Sequence, residues 1–517
     1  MRIAIVGAGF AGLTTARTLK AFGHCVTVFD KTPDVGGVWS ATRRYPGLTT
    51  QNPRDTYALS DYPMPRHYPE WPTGEQVQAY LHSYAEDMGL EPDLRLSTEV
   101  VGAVLDETRR RWTVTTRRAG DTGTVGAGQP TEVDEFDYLV VCNGIFCEPA
   151  VPRFEGDQAF TAAGGRVCHT SGFHDAEAAR GKHVVVVGYG KSSCDVAAAL
   201  SDVAASTTVV ARQLIWKIPK LLANKLNFKV LLLSRMGEAL FRYIHLRGVE
   251  RFLHGPGRPI RNAMVGSVQS VVTRQLRLRQ LGLHPGTPLE TIARSTVSLA
   301  TDGFYDRVAS GRLAVRRDCE IRQLSVREGR RFAQLTDGSE VPADLVVCGT
   351  GFHQRVPFLE PSILARVTDS RGNFRLYRSM LPVDVPCLAF NGYNSSFFSQ
   401  LNAEIGALWL AAHLAGGLAL PPATEQRSTI DARLRWMEAR TDGKHSKGTN
   451  IIPFSMHHID ELLEDLGMDV SRATRVKQWL TAVDPGAYAQ MLPRLLARHG
   501  PPPALDGTPL RQRQVAA

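Results

Sequence analysis

Two glycine-rich turns, each set between an apolar strand and a helix, constrain this chain more than any other feature. The first run is Ile3-Ala4-Ile5-Val6, then Gly7-Ala8-Gly9-Phe10-Ala11-Gly12. A helix pattern follows from Leu13 to Phe22 with Gly23 as its stop, and a strand from Cys25 to Phe29 ends in Asp30. A short continuous apolar run suits a strand buried on both faces. Gly7 permits a tight turn, Gly9 lets backbone N–H groups approach a pyrophosphate, and Gly12 lets the helix pack closely on the strand. The helix N-terminus then faces phosphate charge, and Asp30 accepts hydrogen bonds from a ribose. Strand, glycines, helix, strand and acid in this order predict a bound adenine dinucleotide on Gly7, Ala8, Gly9, Phe10, Ala11, Gly12 and Asp30.

The second unit repeats the plan with a different charge. His183 to Val187 is an apolar strand, followed by Gly188-Tyr189-Gly190-Lys191-Ser192-Ser193-Cys194-Asp195 and a helix to Leu200. The next strand, Thr207 to Val210, ends at Ala211-Arg212. Ser193 replaces the third glycine and is small enough to pack. Arg212 stands where the first unit has Asp30. A carboxylate there repels a 2′-phosphate, whereas a guanidinium pairs with it bidentately. Lys191 adds positive charge near the pyrophosphate. This site is therefore expected to take NADPH rather than NADH, on Gly188, Gly190, Lys191, Ser192, Ser193, Cys194, Asp195 and Arg212. Two nucleotide sites of opposite character, about 180 residues apart, read most simply as FAD in the first and NADPH in the second, with hydride passing to a flavin.

Composition narrows the rest. A chain of 517 residues with 43% apolar and 21% charged residues is globular and long enough for two to four domains, not disordered, collagenous or a coiled-coil rod. Eight cysteines are too sparse for a disulfide scaffold. No apolar run approaches the roughly 18–20 residues a spanning helix needs. The first strand begins at Arg2–Ile3, which leaves no room for a signal peptide. The expectation is a cytoplasmic protein. The net charge of +9 is local: Arg212 to Arg279 holds fourteen Lys/Arg against Glu238 and Glu250. With no groove-reading element beside that basicity, nucleic acid is not expected as a partner.

Further motifs then fall in order: Gly36-Gly37-Val38-Trp39, Ser60-Asp61-Tyr62-Pro63-Met64-Pro65, Asp137 to Gly144, His169-Thr170-Ser171-Gly172-Phe173 and Asp344 to Phe352. Together these resemble the flavin-containing monooxygenase family, the flavoprotein branch that also includes Baeyer–Villiger monooxygenases, over about Met1 to Trp409. The family fingerprint is Phe-x-Gly-x-x-x-His-x-x-x-aromatic; Gly165, His169 and Phe173 match it, and Ala163 stands at the Phe position. Phe173 resembles the flavin-containing monooxygenase form rather than the Trp of the Baeyer–Villiger form. Glu404, with Trp409 after it, resembles the closing helix. The resemblance implies an α/β fold of two doubly wound Rossmann-like domains, an FAD domain with an inserted NADPH domain, plus C-terminal helices. It implies that NADPH reduces FAD and that O2 adds to give a C4a-(hydro)peroxyflavin, shielded by retained NADP⁺. One oxygen atom then passes to a small organic substrate. Asp344 to Phe352 resembles the strand that brings the chain back to the flavin, and Gly37, Val38, Trp39, Thr50, Thr350 and Gly351 are expected along the cofactor.

The loop Arg44 to Asp55 holds the decisive chemistry on this resemblance. Counted from Asp61-Tyr62-Pro63, Gln51 falls where flavin-containing monooxygenases carry a catalytic Asn. Counted from Arg44-Tyr45-Pro46-Gly47, it falls where Baeyer–Villiger enzymes carry an Asp. A neutral amide suits the protonated hydroperoxide, which attacks amines and sulfides, so N- or S-oxygenation is expected, with Asn52 serving if the loop shifts by one residue. Alternatively, both amides only satisfy loop backbone groups. Rival activities are Baeyer–Villiger oxidation of a ketone, a disulfide-type reductase and a non-catalytic flavin-binding protein.

Other features read more plainly. Cys142 and Cys147 have a reductase-like spacing but follow the wrong strand, so Cys142 is expected in the core. His445, His457 and His458 fit no zinc pattern, and no metal is expected. Leu221 to Leu253 reads as an ordinary helical insertion with a solvated basic face, or alternatively as a basic amphipathic helix that lies on an anionic membrane surface or covers the substrate channel or a subunit contact; a homo-oligomer is left open. The expected organisation is an FAD domain over 1–160 and 341–500, an NADPH domain over 161–340 with its basic insertion at about 213–283, and a disordered tail over 501–517. Arg118 to Thr131 reads as a loose hairpin tip.

Overall fold

A computed structural model of the chain describes residues 1–119, 130–293, 298–394, 396–441 and 455–500. His445, the 501–517 tail and most of the Arg118–Thr131 tip lie outside the described residues. Two five-stranded parallel sheets dominate. The first runs Leu388–Phe390, Tyr138–Val141, Arg2–Val6, Cys25–Phe29, Leu94–Arg95. The second runs Leu313–Arg317, Ser206–Ala211, His183–Val187, Leu345–Cys348, Arg166–His169. Both are buried on two faces, as their near-continuous Val, Ile and Leu require. Each central strand runs straight into its glycine turn and helix, Phe10–Ala21 in the first unit and Lys191–Leu200 in the second. Each sheet also has a three-stranded antiparallel companion, Thr98–Asp106 with Arg111–Arg118 and Thr131–Phe136, and Ile321–Arg327 with Arg330–Leu335 and Glu340–Pro342.

The two halves are joined by paired chain segments. Glu148–Pro149 on the way out pairs antiparallel with Phe352–His353 on the way back. The returning stretch Asp344 to Phe352 thus gives one strand to the second sheet and one to this tie. The first sheet is re-entered only at Leu388–Phe390, which lies beside Tyr138–Val141.

The basic insertion is not one amphipathic helix, which corrects the reading of Leu221 to Leu253. It forms a hairpin of Leu221–Leu222 with Leu226–Asn227, then helices Phe228–Leu232, Arg235–Ala239, Val249–His254 and Arg258–Gln275. Two local features break it. A Cβ on Gly237 would lie 2.0 Å from the Leu231 carbonyl oxygen, and Gly248 adopts φ +48°. Much of its charge is also spent inward. Lys229 pairs with Asp55 at 2.5 Å, Arg235 with Asp460 at 2.6 Å, and Lys220 with Asp302 at 2.6 Å. Arg247 pairs with Glu464 and Arg261 with Glu290. Lys220 also lies 4.9 Å over the Trp71 ring, and Asn227 donates to Glu70 at 2.5 Å. The insertion is therefore a wall packed on the 52–71 loop and on the C-terminal helices.

The helix Ser399–Leu414 passes through the interior with twelve of its sixteen residues buried, and packs on Phe10–Ala21. A helix apolar on all sides has this place to go. Among the described residues, no helix is long and apolar enough to cross a membrane.

Candidate active site

The two glycine helices present the same device. A Cβ on Gly12 would lie 1.7 Å from the Gly7 carbonyl oxygen, and one on Gly7 would lie 2.4 Å from that of Cys142. Helix, strand and neighbouring strand touch here through bare backbone. Neither helix has a side-chain N-cap, and the first N–H groups returned to the helix are Leu13 to Gly9 and Cys194 to Gly190. The N–H groups of each first turn are therefore left for an anion. This cradle fits the diphosphate of a dinucleotide in both halves. Asp30 is fixed beside the first cradle, with Oδ2 accepting from Ala8 N at 2.7 Å and Oδ1 from Thr32 N at 2.9 Å. Gly36 N donates to Ala8 O at 2.9 Å, which brings Gly37 against Gly9. Val38 is exposed, and Trp39 is buried edge-on to Tyr57 at 5.7 Å, whose ring meets Phe10 at 5.6 Å.

In the second half Ser193 takes the third-glycine place because it bridges strands: its Oγ donates to Gly349 O at 3.1 Å. Cys194 is buried and Ser192 half-buried. Lys191 is committed, with Nζ 2.5 and 2.6 Å from the two oxygens of Asp195. Arg212 stands at the strand end with 81% of its side chain exposed, and its nearest carboxylate is Glu320 at 3.6 Å.

The loop between the halves separates the two candidate amides. Thr50 is buried and its hydroxyl donates to Asn52 O at 2.7 Å. Asn52 is buried and donates through Nδ2 to Phe397 O at 2.6 Å, at the start of the interior helix. Gln51 turns the opposite way, and its Oε1 accepts from Leu299 N at 3.1 Å. Its Nε2 donates to no group among the described residues. Asn52 is thus buried and tied to backbone through its Nδ2, while Gln51 is tied through its oxygen and keeps its Nε2 hydrogens in hand.

The fingerprint residues lock the tie between the halves. His169 Nε2–H donates to Gly351 O at 3.0 Å, and its Nδ1 accepts from Ser171 N at 3.1 Å. Burial pushes this imidazole down to about 4, so it is neutral. The Thr350 hydroxyl donates to Ala150 O. Phe173 is buried under the Arg166 guanidinium. With Ala163 at the Phe position, the ring comes from one helical turn earlier: Phe160 is fully buried, and a Cβ on Gly165 would lie 2.3 Å from its ring.

Cys142 and Cys147 are both free thiols. Burial pushes Cys142 up to about 12, and Cys147 donates to Gly144 O at 3.1 Å. Glu404 receives Ser60 N at 3.0 Å and Ser60 Oγ at 2.5 Å, and burial pushes it up to about 7. His457 lies 2.6 Å from Glu250 and 3.6 Å from Glu238. His458 is buried between Asn402 and Arg378 O. Lys217 and Thr301 lie near the Gln51 loop without having been expected there, whereas Tyr45 lies in the expected loop Arg44 to Asp55. Lys217 is buried with its ammonium on Ser298 Oγ at 2.8 Å. No local pattern marks these two, because their partners come from other segments.

Residues 1–474 match the profile of the flavin-binding monooxygenase-like family. The chain belongs to that family. It is a flavin-dependent monooxygenase. Like the chain, a probable flavin-containing monooxygenase 1 of Arabidopsis thaliana extends over nearly the whole length: 25% identity over 507 residues, 90% of this chain and 92% of the relative. The S-allyl-L-cysteine S-oxygenase of Allium sativum superposes with a TM-score of 0.60 at 20% identity, covering 92% and 91% of the two chains. NADP⁺-bound cyclohexanone monooxygenase from Rhodococcus sp. Phi1 superposes with a TM-score of 0.65 at 17% identity, covering 90% and 97%. These likenesses place the fold of the family on this chain, two parallel-sheet halves with C-terminal helices.

Proposed function

We propose that this monooxygenase binds FAD on the first glycine helix and NADPH on the second, and transfers one oxygen atom from O2 to nitrogen or sulfur of a small organic substrate. The observation that carries the heteroatom reading is Gln51: a neutral amide with an unspent Nε2–H on the loop between the halves, where ketone oxidation calls for a carboxylate. A bound flavin reduced by NADPH supplies the oxygen chemistry. The chain's own work is positional. The two uncapped helix ends hold diphosphates, Asp30 faces a ribose, and Arg212 meets a 2′-phosphate. Gln51 offers a hydrogen bond without charge, which leaves a proton on the reacting oxygen, and the insertion wall keeps water out. The S-oxygenase among the solved relatives supports this reading. The cyclohexanone monooxygenase likeness favours the rival, ketone oxidation with the same cofactors. On this reading 1–160 and 341–500 form the FAD domain and 161–340 the NADPH domain, except that Leu345–Cys348 on the returning stretch stays in the NADPH sheet. The six insertion cations drawn into ion pairs argue for an insertion that walls a channel rather than coats a membrane.

The test is product analysis of the purified holoenzyme with NADPH, O2 and either an alkyl aryl sulfide or a cyclic ketone. Sulfoxide without lactone is expected. Lactone without sulfoxide would replace the heteroatom reading with the ketone one. Gln51→Asp is expected to shift the product ratio toward lactone or to raise peroxide release, and identical behaviour would remove Gln51 from its role.

A further inference from the structure

Asp195 gathers three segments of the cleft on one carboxylate. Its side chain is 1% exposed. It accepts from Lys191 Nζ at 2.5 and 2.6 Å and from the Thr301 hydroxyl at 2.5 Å. Burial, and then the negative charge of Asp195, hold the proton on the Tyr45 phenol. Gly47 allows this approach. It adopts φ +82°, and a Cβ there would lie 3.2 Å from the Asp195 carbonyl oxygen. A side chain at that position would be both strained and crowded.

The three partners matter for where they sit. Lys191 opens the second glycine helix. Tyr45 lies six residues before Gln51 on the same loop. Thr301 lies two residues after Leu299, whose N–H is the one Gln51 binds. The contacts close a circuit: along the loop from 47 to 51, across to 299, along the chain to 301, and back through Asp195, whose carbonyl lies against Gly47. A slip at any point moves Gln51. We infer that Asp195 is a positioning residue, which holds the Gln51 loop and the 298–301 segment in register on the nucleotide helix, so that seating of the nucleotide and presentation of the Gln51 amide are coupled. Lys191 serves this clamp, and its ammonium is neutralised there rather than offered to the diphosphate. The inference rests on the proposed placement of NADPH and Gln51.

The experiment compares the holoenzyme with Asp195→Asn, Tyr45→Phe, Thr301→Val and the Tyr45→Phe/Asp195→Asn pair, by hydrogen exchange with and without NADP⁺ and by the fraction of NADPH oxidation that ends as hydrogen peroxide. Asp195→Asn is expected to speed exchange in both 44–52 and 298–302 by about tenfold or more, the scale of one lost charge-assisted hydrogen bond. The protection that NADP⁺ gives the 44–52 loop should fall with it, and the peroxide fraction should rise. The antiparallel sheet over 98–118 should keep its wild-type exchange. Tyr45→Phe should loosen the loop, and adding Asp195→Asn to it should give no more than Asp195→Asn alone. Unchanged exchange in both segments, or changes confined to 191–200, would overturn the inference and leave Asp195 as a counter-ion to Lys191. Should Asp195→Asn not fold, Tyr45→Phe and Thr301→Val read the same circuit from its other arms. A wild-type enzyme that oxidises no NADPH would sink the functional reading, while the exchange data would still judge the clamp.

Discussion

Replacing Gly12 by alanine separates the two nucleotide sites most sharply. The added Cβ would stand 1.7 Å from the Gly7 carbonyl oxygen, a backbone atom that cannot swing away. Gly7 is itself pinned, with φ +115° and its own missing Cβ only 2.4 Å from Cys142 O. To reach an ordinary contact the helix must retreat by more than about 1 Å, and overpacking of this kind costs about 1–3 kcal/mol in a close-packed interior. The retreat pulls the first-turn N–H groups of Phe10–Ala21 away from the diphosphate they face. At about 1.4 kcal/mol per factor of ten, flavin affinity should fall roughly tenfold to a hundredfold. The equivalent position of the second unit already carries a side chain. Ser193→Ala loses the hydroxyl's bond to Gly349 O at 3.1 Å and its longer approach to Val187 O at 3.4 Å, worth about 0.5–1.5 kcal/mol, and leaves the first cradle intact. The assay is the ratio of visible flavin absorbance to protein absorbance after purification, followed by titration of the stripped protein with FAD. Gly12→Ala should purify nearly colourless and Ser193→Ala yellow. A Gly12→Ala protein with full flavin at wild-type affinity would refute the assignment of the first cradle.

Other outcomes follow from the same contacts. Arg212→Ala should raise the KM for NADPH far more than that for NADH; equal changes in steady-state kinetics would end its phosphate role. Burial raises Glu404 from 4.5 to about 7, so its contribution to stability is fullest below pH 4.5 and is lost as pH rises through about 7. Glu404→Gln should flatten the thermal-melting profile in that window. Burial opposes the charge on His457, but hydrogen bonds to Glu238 and Glu250 outweigh it and raise it from 6.5 to about 10. That stabilisation is complete below pH 6.5 and is lost as pH rises through about 10, so His457→Gln should melt with a flatter profile between those values. Cys147→Ser should leave oxygenation within about twofold, since its thiol only caps Gly144 O and is raised by burial; loss of turnover would reopen a reductase.

The strands around both glycine turns were legible because they are local. Cys25–Phe29 and His183–Val187 fall where the apolar runs and their flanking turns put them. The family was legible for a related reason, since turn chemistry must recur in order along the chain. What escaped the sequence is non-local. Leu388–Phe390 is three residues long and becomes a strand only because Tyr138–Val141 offers it an edge. Phe160 fills the place left by Ala163 through a helical turn, which no linear pattern records. That Lys191 meets Asp195 one turn along its own helix could be counted from the sequence, but the Thr301 hydroxyl on the same carboxylate could not. The insertion looked like a helix because its apolar and basic residues recur, whereas Gly237, Gly248 and carboxylates from distant segments decide its shape. Motif spacing favoured Gln51 over Asn52, but the partners that turn the two amides apart, Leu299 and Phe397, lie far along the chain.

The most direct measurement is an anaerobic titration of the purified yellow enzyme with NADPH, followed by one addition of oxygenated buffer containing a sulfide. The two-cradle arrangement predicts that visible absorbance bleaches with one equivalent of NADPH. On oxygen it should return, with about one sulfoxide per flavin carrying oxygen from labelled O2. Absorbance that NADPH does not bleach, or sulfoxide whose oxygen comes from water, would contradict it.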